Sequence, residues 1–124
     1  MMFQVLKFGG TSVGSAQRIK ELVKLTVNQQ PKVVVLSAMS GTTNALVEIC
    51  HAFYAKNTGM ARDLIKRLKE KYSSEVSALY STEQGLLKAG QLIENHFNYI
   101  ESFTLDMFTV NEDNAILAQG ELLS

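Results

Sequence analysis

Apolar residues follow two different spacings along this chain. Near the start, residues 3–8 and 33–36 form short, nearly continuous apolar runs, which are typical of strands buried on both faces of a parallel sheet. Between them, residues 19–26 carry apolar side chains at helical spacing after Ser15, a good N-cap residue, and Pro31 marks the end of that helix. The order strand, helix, strand predicts a right-handed βαβ unit with parallel strands.

From residue 43 onward the spacing is helical throughout. Gly59 is placed as the residue that ends the first of these helices, Ser81 and Gln84 fit a capping box, and residues 109–112 fit another. Four helices follow from the pattern, over about residues 43–57, 60–80, 82–108 and 112–124.

The predicted elements describe an α/β chain with little sheet. The expected fold has two parallel strands and about five helices, and two strands alone make a poor sheet. We therefore expect the remaining strands to come from sequence after Ser124 or from another chain. The helical pattern also stops within residues 120–124 without a C-cap glycine or a polar tail, which we interpret as a cut chain.

The composition argues against some classes of binding partner. Twelve basic and twelve acidic residues give no net charge, so neither a nucleic acid nor an anionic membrane is expected as a partner, and the basic residues within 62–71 are interpreted as a solvated helix face. A hydrophobic content of 46% suffices for a core, and no apolar run reaches the roughly 20 residues that span a bilayer. With one cysteine and no signal peptide at the N-terminus, we expect a cytoplasmic protein.

The loop after the first strand has the chemistry of a phosphate-binding site. Lys7 precedes the paired Gly9 and Gly10, and residues 11–15 lead into a helix. Glycines let the backbone approach an anion, a helix N-terminus offers unpaired N–H groups with partial positive charge, and the lysine adds a full charge. The spacing matches neither a Walker loop, whose lysine follows its glycines, nor the dinucleotide fingerprint. An ordinary strand-to-helix turn is the alternative.

Residues 37–43 form a second loop of small and polar residues, which opens directly onto a helix. One interpretation is a ligand-binding loop whose hydroxyl and N–H groups turn toward a small polar molecule. The other is simple capping by Thr42 or Thr43. Because ligands bind beyond the carboxyl ends of parallel strands, we expect the loops at 9–14 and 37–43 to lie side by side.

Four residues outside these loops carry isolated ionisable side chains. Glu121 lies in the apolar segment 115–123, so its carboxylate either faces water or meets a cation. His51 and His96 stand alone on their helices and are interpreted as structural or exposed, and no zinc or other metal site is predicted. Cys50 lies on the apolar face of its helix, as a small buried hydrophobe does.

Three short segments carry a resemblance to a known family. They are KFGGTSV at 7–13, VLSAMSGTTN at 35–44 and GELLS at 120–124. Together they resemble the aspartate kinases, a branch of the amino-acid kinase family whose other members do not usually share the Phe and Thr-Ser-Val of the first segment. The resemblance implies a carbamate-kinase-like α/β/α domain, of which residues 1–124 are the N-terminal portion. Residues 57–110 carry no motif and resemble the helical excursion of these kinases.

The resemblance implies roles for residues on the nucleotide side. Lys7 resembles the lysine that contacts the ATP phosphates and offsets charge on the transferring group. Gly9 and Gly10 resemble the glycines whose N–H groups cradle those phosphates. Ser37 and Ala38 match positions that line the cleft for nucleotide and substrate. ATP is the expected cofactor, with Mg²⁺ held mainly through the nucleotide phosphates.

On the substrate side, Thr43 resembles the hydroxyl residue that binds aspartate, Glu121 resembles the carboxylate that recognises the substrate amino group, and Ser124 is expected nearby. The reaction implied is transfer of the ATP γ-phosphoryl group to the β-carboxylate of L-aspartate, the first step toward lysine, threonine and methionine. A homo-oligomer is expected, and the isolated chain is expected to be inactive. The alternatives are another amino-acid kinase, the kinase half of a bifunctional aspartate kinase and homoserine dehydrogenase, and a non-catalytic helical assembly module.

Overall fold

The secondary-structure elements follow the predicted order. A computed structural model describes residues 3–105 and 110–124, and within them the chain is α/β, with two parallel strands and five α-helices. In chain order the elements are β1 (Gln4–Phe8), α1 (Ala16–Thr26), β2 (Lys32–Leu36), α2 (Thr42–Tyr54), α3 (Thr58–Leu79), α4 (Glu83–Ser102), a 3-10 turn (Phe103–Leu105) and α5 (Val110–Leu123). No helix in these two ranges is both long and apolar enough to cross a bilayer.

β1, α1 and β2 form the predicted βαβ unit. The strands pair in parallel along their length, with Phe8 opposite Leu36 at the carboxyl ends. α1 begins where the sequence predicts, because the Ser15 hydroxyl accepts a hydrogen bond from the backbone N–H of Arg18 at 3.3 Å. The helix ends before Pro31 is reached, so the proline lies in the connection to β2. Both ligand-loop candidates therefore leave the same edge of the sheet.

The strands are less buried than their apolar sequence predicts. Val5 is 68% exposed, Val33 51% and Val35 44%. Side chains alternate along a strand and paired residues share a face, so these valines and Lys7 form one sheet face that stays largely open. The expectation of burial on both faces is wrong for this structure, because α1 and α3 lie on the opposite face, which carries Val34.

The hydrophobic core lies among α2, α3, α4 and α5. Leu46, Ile49 and Ile100 are fully buried there, and the rings of Tyr72 and Phe97 stand 5.9 Å apart in a tilted arrangement. These are the apolar positions that recur at helical spacing in the sequence. The helical part of the chain thus packs well, and the sheet rests beside it.

Gly59 does not end a helix, contrary to the sequence prediction. The chain reverses after α2 at Lys56, whose φ of 56° lies in the left-handed region. Asn57 then caps α3 by accepting a hydrogen bond from the backbone N–H of Met60 at 3.1 Å. Gly59 therefore falls in the first turn of α3, since Asn57, two residues earlier, supplies the side-chain cap that a glycine lacks.

The cap of α4 is displaced by one residue from the prediction. Thr82, not Ser81, accepts the capping hydrogen bond, which comes from the backbone N–H of Gly85 at 3.0 Å. A Cβ on Gly85 would lie 2.9 Å from the Thr82 hydroxyl and 3.0 Å from the ring of Tyr80, so the absence of a side chain permits this cap. Gln84 is two residues after the cap and forms no capping box with it.

The helices on either side of residues 106–109 differ in length from the predictions. α4 ends at Ser102, short of the predicted end near 108, and α5 begins at Val110, two residues earlier than predicted. Residues 106–109 lie outside the described residues, and with them lies the predicted N-cap of the second capping box.

Candidate functional site

The two candidate ligand loops lie against each other, as predicted. The backbone N–H of Ser37 donates to the carbonyl of Phe8 at 3.2 Å, which continues the strand pairing into the loops. A Cβ on Gly10 would lie 3.2 Å from the Ala38 carbonyl oxygen and 3.6 Å from the Cα of Ser40. Glycine at position 10 is therefore what allows the backbones of the two loops to approach this closely.

The first loop makes a compact turn that leaves some of its N–H groups unpaired. The N–H groups of Ser12 and Val13 both donate to the Gly9 carbonyl, at 3.0 and 3.3 Å. Among the described residues, the N–H groups of Gly9, Gly10 and Thr11 make no hydrogen bond. A Cβ on Gly9 would meet nothing within 4 Å, so contacts within the chain do not require glycine there. Three successive free donors suit an anion.

The N-terminus of α1 is not the open anion site that the sequence suggested. The N–H of Ala16 donates to the Glu75 carboxylate oxygen Oε2 at 2.6 Å, and the N–H of Arg18 is taken by the Ser15 hydroxyl. A carboxylate in this position offsets the partial positive charge of the helix N-terminus. The Arg18 side chain also donates to the Thr11 carbonyl at 3.2 Å. The free donors thus belong to the glycine turn before α1, and α3 supplies an anion of its own to the helix.

Glycine, not threonine, caps the helix that follows the second loop. Gly41 is the N-cap of α2, with φ 85°, and no side chain caps the helix. The capping interpretation of Thr42 and Thr43 is wrong, because Thr42 is completely buried with its hydroxyl 2.6 Å from the Tyr72 hydroxyl, and Thr43 is exposed in the first turn. Within the described chain the N–H groups of Thr43 and Asn44 are unpaired, which leaves donors at this helix end.

The third motif reaches the same helix from the other side. A Cβ on Gly120 would lie 3.2 Å from the Leu46 side chain and 3.7 Å from the Thr42 methyl group, so α5 packs closely on the first turns of α2. Glu121, the next residue, is exposed, and in the described chain no cation pairs with it. Of the two situations considered for its carboxylate, it faces water in this structure. The hydroxyl of Ser124 donates to the Glu121 carbonyl at 2.6 Å.

The contacts therefore link the candidate residues one after another. Gly10 packs on Ala38, which is buried, and the loop of Ala38 runs into α2, on which Gly120 packs. Lys7 is exposed on the open face of the sheet. No hydrogen bond of the described residues joins the first loop directly to α5. The structure thus assembles the motifs through the second loop and α2.

A cavity of about 350 Å³ lies beside these loops, between α1, β2, α3 and α4. Ser37 and Ser124 both line it, but most of its wall is aliphatic, with the Glu75 carboxylate among the few polar groups. Phosphate oxygens need positive charge, and among the described residues no lysine or arginine lines this wall. The cavity is therefore not a phosphate site, and the free N–H groups of the loops lie apart from it.

Tyr72 is a residue of the site that the sequence interpretation missed. The sequence places it in the core, where its ring does lie, but its hydroxyl lies 2.6 Å from the Thr42 hydroxyl. Burial raises the pKa of the Tyr72 phenol, and the Thr42 hydroxyl and the Met39 backbone partly oppose the rise. The signal that could have revealed it is general: a buried tyrosine needs a partner for its hydroxyl.

The remaining polar candidates have structural explanations. Cys50 is buried as predicted, and burial raises the pKa of its thiol, with Asp113 adding to the rise. His96 Nδ1 lies 2.6 Å from the Gln119 side-chain oxygen, and His51 is exposed, which confirms the structural or exposed interpretation of the two histidines. Among the described residues, no three His, Cys, Asp or Glu side chains are grouped so that they could hold a metal ion.

Comparisons with known proteins identify one family. A model of the amino acid kinase family matches residues 2–118. The aspartokinase of Chlamydia trachomatis is 36% identical over 121 residues, which are 97% of this chain and 25% of that protein. The aspartokinase of Chlamydia muridarum is 34% identical over 121 residues, with the same shares. The chain thus spans about a quarter of the length of these curated relatives.

A solved structure shares the fold. Aspartokinase III of E. coli, in complex with aspartate and ADP, superposes with a TM-score of 0.72 over 98% of this chain and 27% of its own. The two sequences are 22% identical, so this likeness concerns the arrangement of the helices and strands.

Proposed function

Because the chain belongs to the amino acid kinase family, we propose that it supplies the N-terminal part of the active site of an aspartate kinase. The reaction is transfer of the γ-phosphoryl group of ATP to the β-carboxylate of L-aspartate, the entry to lysine, threonine and methionine synthesis. Two relatives that match nearly the whole chain are aspartokinases, and the E. coli enzyme of like fold was solved with aspartate and ADP.

The observation that carries the proposal is the contact between the two loops. The backbone at Gly10 approaches the Ala38 carbonyl so closely that a Cβ would lie 3.2 Å from it. A loop with free N–H groups, suited to phosphate, therefore borders a loop with exposed hydroxyl and N–H groups, suited to a small polar substrate. Phosphoryl transfer needs a donor and an acceptor held side by side in this way.

On the nucleotide side, the N–H groups of Gly9 and Gly10 cradle the ATP phosphates and Lys7 offsets charge on the transferring group. Ser37 and Ala38 line the cleft between nucleotide and substrate. The exposure of Lys7 and the free N–H groups of the glycine turn support these roles, because a preorganised donor must be accessible to the charge that it stabilises.

On the substrate side, Thr43 binds aspartate, Glu121 recognises its ammonium group, and Ser124 lies close to it. Support comes from the exposure of both Thr43 and Glu121 on elements that pack together through Gly120. Glu121 has no cation among the described residues, so its exposed carboxylate is available to pair with the ammonium of the substrate.

The reaction does not require a general base. The β-carboxylate of aspartate is already ionised at neutral pH, so no residue needs to remove a proton from the nucleophile. Catalysis rests on alignment and on charge neutralisation by Lys7 and backbone N–H groups. Mg²⁺, held mainly through the nucleotide phosphates, would supply further positive charge at the transferring group.

The test is an ATP-dependent aspartyl-phosphate assay on the complete gene product, with hydroxylamine trapping of the acyl phosphate. We expect turnover with L-aspartate and none with glutamate, acetylglutamate or carbamate, and a preference for one of those substrates would assign another amino-acid kinase. Activity belongs to the complete product, a homo-oligomer, and we expect no turnover from the 124-residue chain alone, which spans about a quarter of its relatives.

Glu121→Ala tests the substrate assignment directly. Losing the partner of the substrate ammonium is expected to lower kcat/KM for aspartate by roughly 10² or more, because an ionic contact of this kind is worth several kcal/mol. The KM for ATP should stay near the wild-type value. Glu101→Ala, an exposed carboxylate on α4, is the matched control and should behave like wild type. Unchanged aspartate kinetics in Glu121→Ala would refute the role of this residue.

A further inference from the structure

Three side chains on one side of α3 reach the two candidate ligand loops. Lys71, Tyr72 and Glu75 stand one, three and four residues apart, which groups them along one side of a helix. Their contacts go to Ser40, to Thr42 and to Ala16 at the start of α1. We propose that α3 is the positioning element of the site, in which Tyr72 holds the aspartate loop and Glu75 holds the phosphate loop. The inference rests on the proposed kinase function.

Tyr72 holds one end of the second loop. Its hydroxyl lies 2.6 Å from the hydroxyl of Thr42, which is completely buried. Thr42 immediately precedes Thr43, the exposed residue assigned to aspartate. The backbone N–H of Thr42 donates to the Met39 carbonyl at 3.1 Å, so the phenol is joined to the Met39–Thr42 turn through Thr42.

Glu75 acts on the element that follows the first loop. Its carboxylate accepts from the N–H of Ala16 at 2.6 Å, across 59 residues of sequence. Ala16 is buried, and the Ser15 cap and the Arg18 contact to Thr11 lie in the same turn. A charged acceptor at a helix N-terminus gives one of the stronger hydrogen bonds of the backbone. Glu75 therefore fixes the Ser15-capped start of α1 against α3, and with it the end of the glycine turn.

Lys71 adds a third contact, to Ser40 of the second loop. Its ammonium donates to the Ser40 carbonyl at 2.7 Å, and a Cβ on Gly41 would lie 3.5 Å from it. The contact is exposed, so solvent screens it and we expect it to matter less than the buried phenol. On the side of α3 that carries Tyr72, Leu68 and Ile65 are buried in the helical core one and two turns earlier, which holds α3 in place for all three contacts.

Tyr72→Phe tests the proposal in the complete gene product. Loss of the hydroxyl is expected to raise KM for aspartate roughly 3- to 10-fold, the equivalent of one hydrogen bond, with KM for ATP unchanged. Thr42→Val should do the same, and the double variant should be no worse than either single one, because both lose one shared contact. Tyr80→Phe removes a hydroxyl at the end of the same helix and serves as the matched control.

Glu75→Ala tests the other loop and should give the opposite pattern. We expect KM for ATP to rise roughly 3- to 30-fold, as for loss of a charged hydrogen bond, with KM for aspartate little changed. Glu75→Gln keeps a carbonyl acceptor and should recover part of the loss. Glu70→Ala, an exposed carboxylate of the same helix, is the control.

The outcomes separate the two proposals. If the wild-type product phosphorylates no aspartate, the proposed function fails before any variant is made. If the wild type is active and Tyr72→Phe and Glu75→Ala raise both KM values equally, or leave both unchanged, the positioning role of α3 is refuted. Thermal unfolding of each folded variant is measured alongside, because a role in stability alone would lower the melting temperature without dividing the two KM values.

Discussion

The two halves of this chain bury their apolar residues to very different extents. In the helical half, α2 to α5, residues such as Leu46 and Ile100 are fully enclosed, whereas Val5 and Val33 on the strands remain more than half exposed. The candidate ligand loops belong mainly to the second, open half. Their positions nevertheless depend on the first, since Tyr72 of α3 contacts Thr42 at the end of the second loop and Glu75 contacts Ala16, just after the first loop.

The difference follows from the geometry of the elements. A helix needs to bury only one stripe of side chains, and four helices can do this for one another. A strand with apolar residues on both faces needs a layer on each side, and here helices cover one side only. A site placed on the open half thus gains accessible backbone donors, and it gains rigidity from the packed half.

Truncation of a buried side chain in the helical core is expected to have the largest effect on stability. Phe97→Ala removes a buried ring that packs on Tyr72 and should lower the free energy of unfolding by about 3–5 kcal/mol. Val33→Ala on the open sheet face should cost less than about 1 kcal/mol. Urea unfolding followed by circular dichroism measures both. Equal losses would contradict the contrast between the halves.

Removal of the Lys7 charge should lower the rate of catalysis and leave stability unchanged. Lys7→Ala in the complete gene product is expected to lower kcat by about 10²–10³, the usual effect of deleting one contact to the charge of a transition state. Because Lys7 is exposed, the melting temperature should stay within experimental error. Lys20→Ala, exposed on α1, is the matched control. Wild-type kinetics for Lys7→Ala would exclude it from the phosphate site.

The buried thiol makes the helical half sensitive to alkaline pH. Burial raises the pKa of Cys50 above its ordinary value, so the folded chain keeps the thiol proton at pH values where the unfolded chain loses it. This contribution is complete below about pH 8.5 and falls above it, by up to about 1.4 kcal/mol per pH unit. Cys50→Val lacks the group, so its stability should decline less between pH 8.5 and 10. Parallel pH curves would disprove the assignment.

Two glycines offer the mildest test, with opposite expected signs. Gly90 in α4 has open space where a Cβ would stand, so Gly90→Ala should stabilise the chain by about 0.5–1 kcal/mol through helix propensity. Gly120→Ala would place its Cβ 3.2 Å from the buried Leu46, so crowding should cancel that gain or reverse it. Thermal melts of both variants give the comparison. Stabilisation by Gly120→Ala would show that α5 can move away from α2.

Much of the fold could be predicted because its patterns are local. Apolar runs and helical spacing depend on residues a few positions apart, so both strands and the existence of the helices followed from them. Boundaries were less certain: neighbouring residues such as Ser81 and Thr82 can each cap a helix, and the surrounding packing selected Thr82. The burial of the strands was predicted wrongly, because it depends on which layers cover them.

For the candidate site, local sequence patterns were enough to specify the kinds of residue and the meeting of the two loops. Parallel strands in the order strand, helix, strand must bring their carboxyl ends to one edge, so loops 9–14 and 37–43 had to be neighbours. The contacts that hold the two loops in place depend on how the helices pack. Glu75 meets Ala16 across 59 residues and Tyr72 meets Thr42 across 30. Such contacts depend on how α3 docks, which no local spacing specifies.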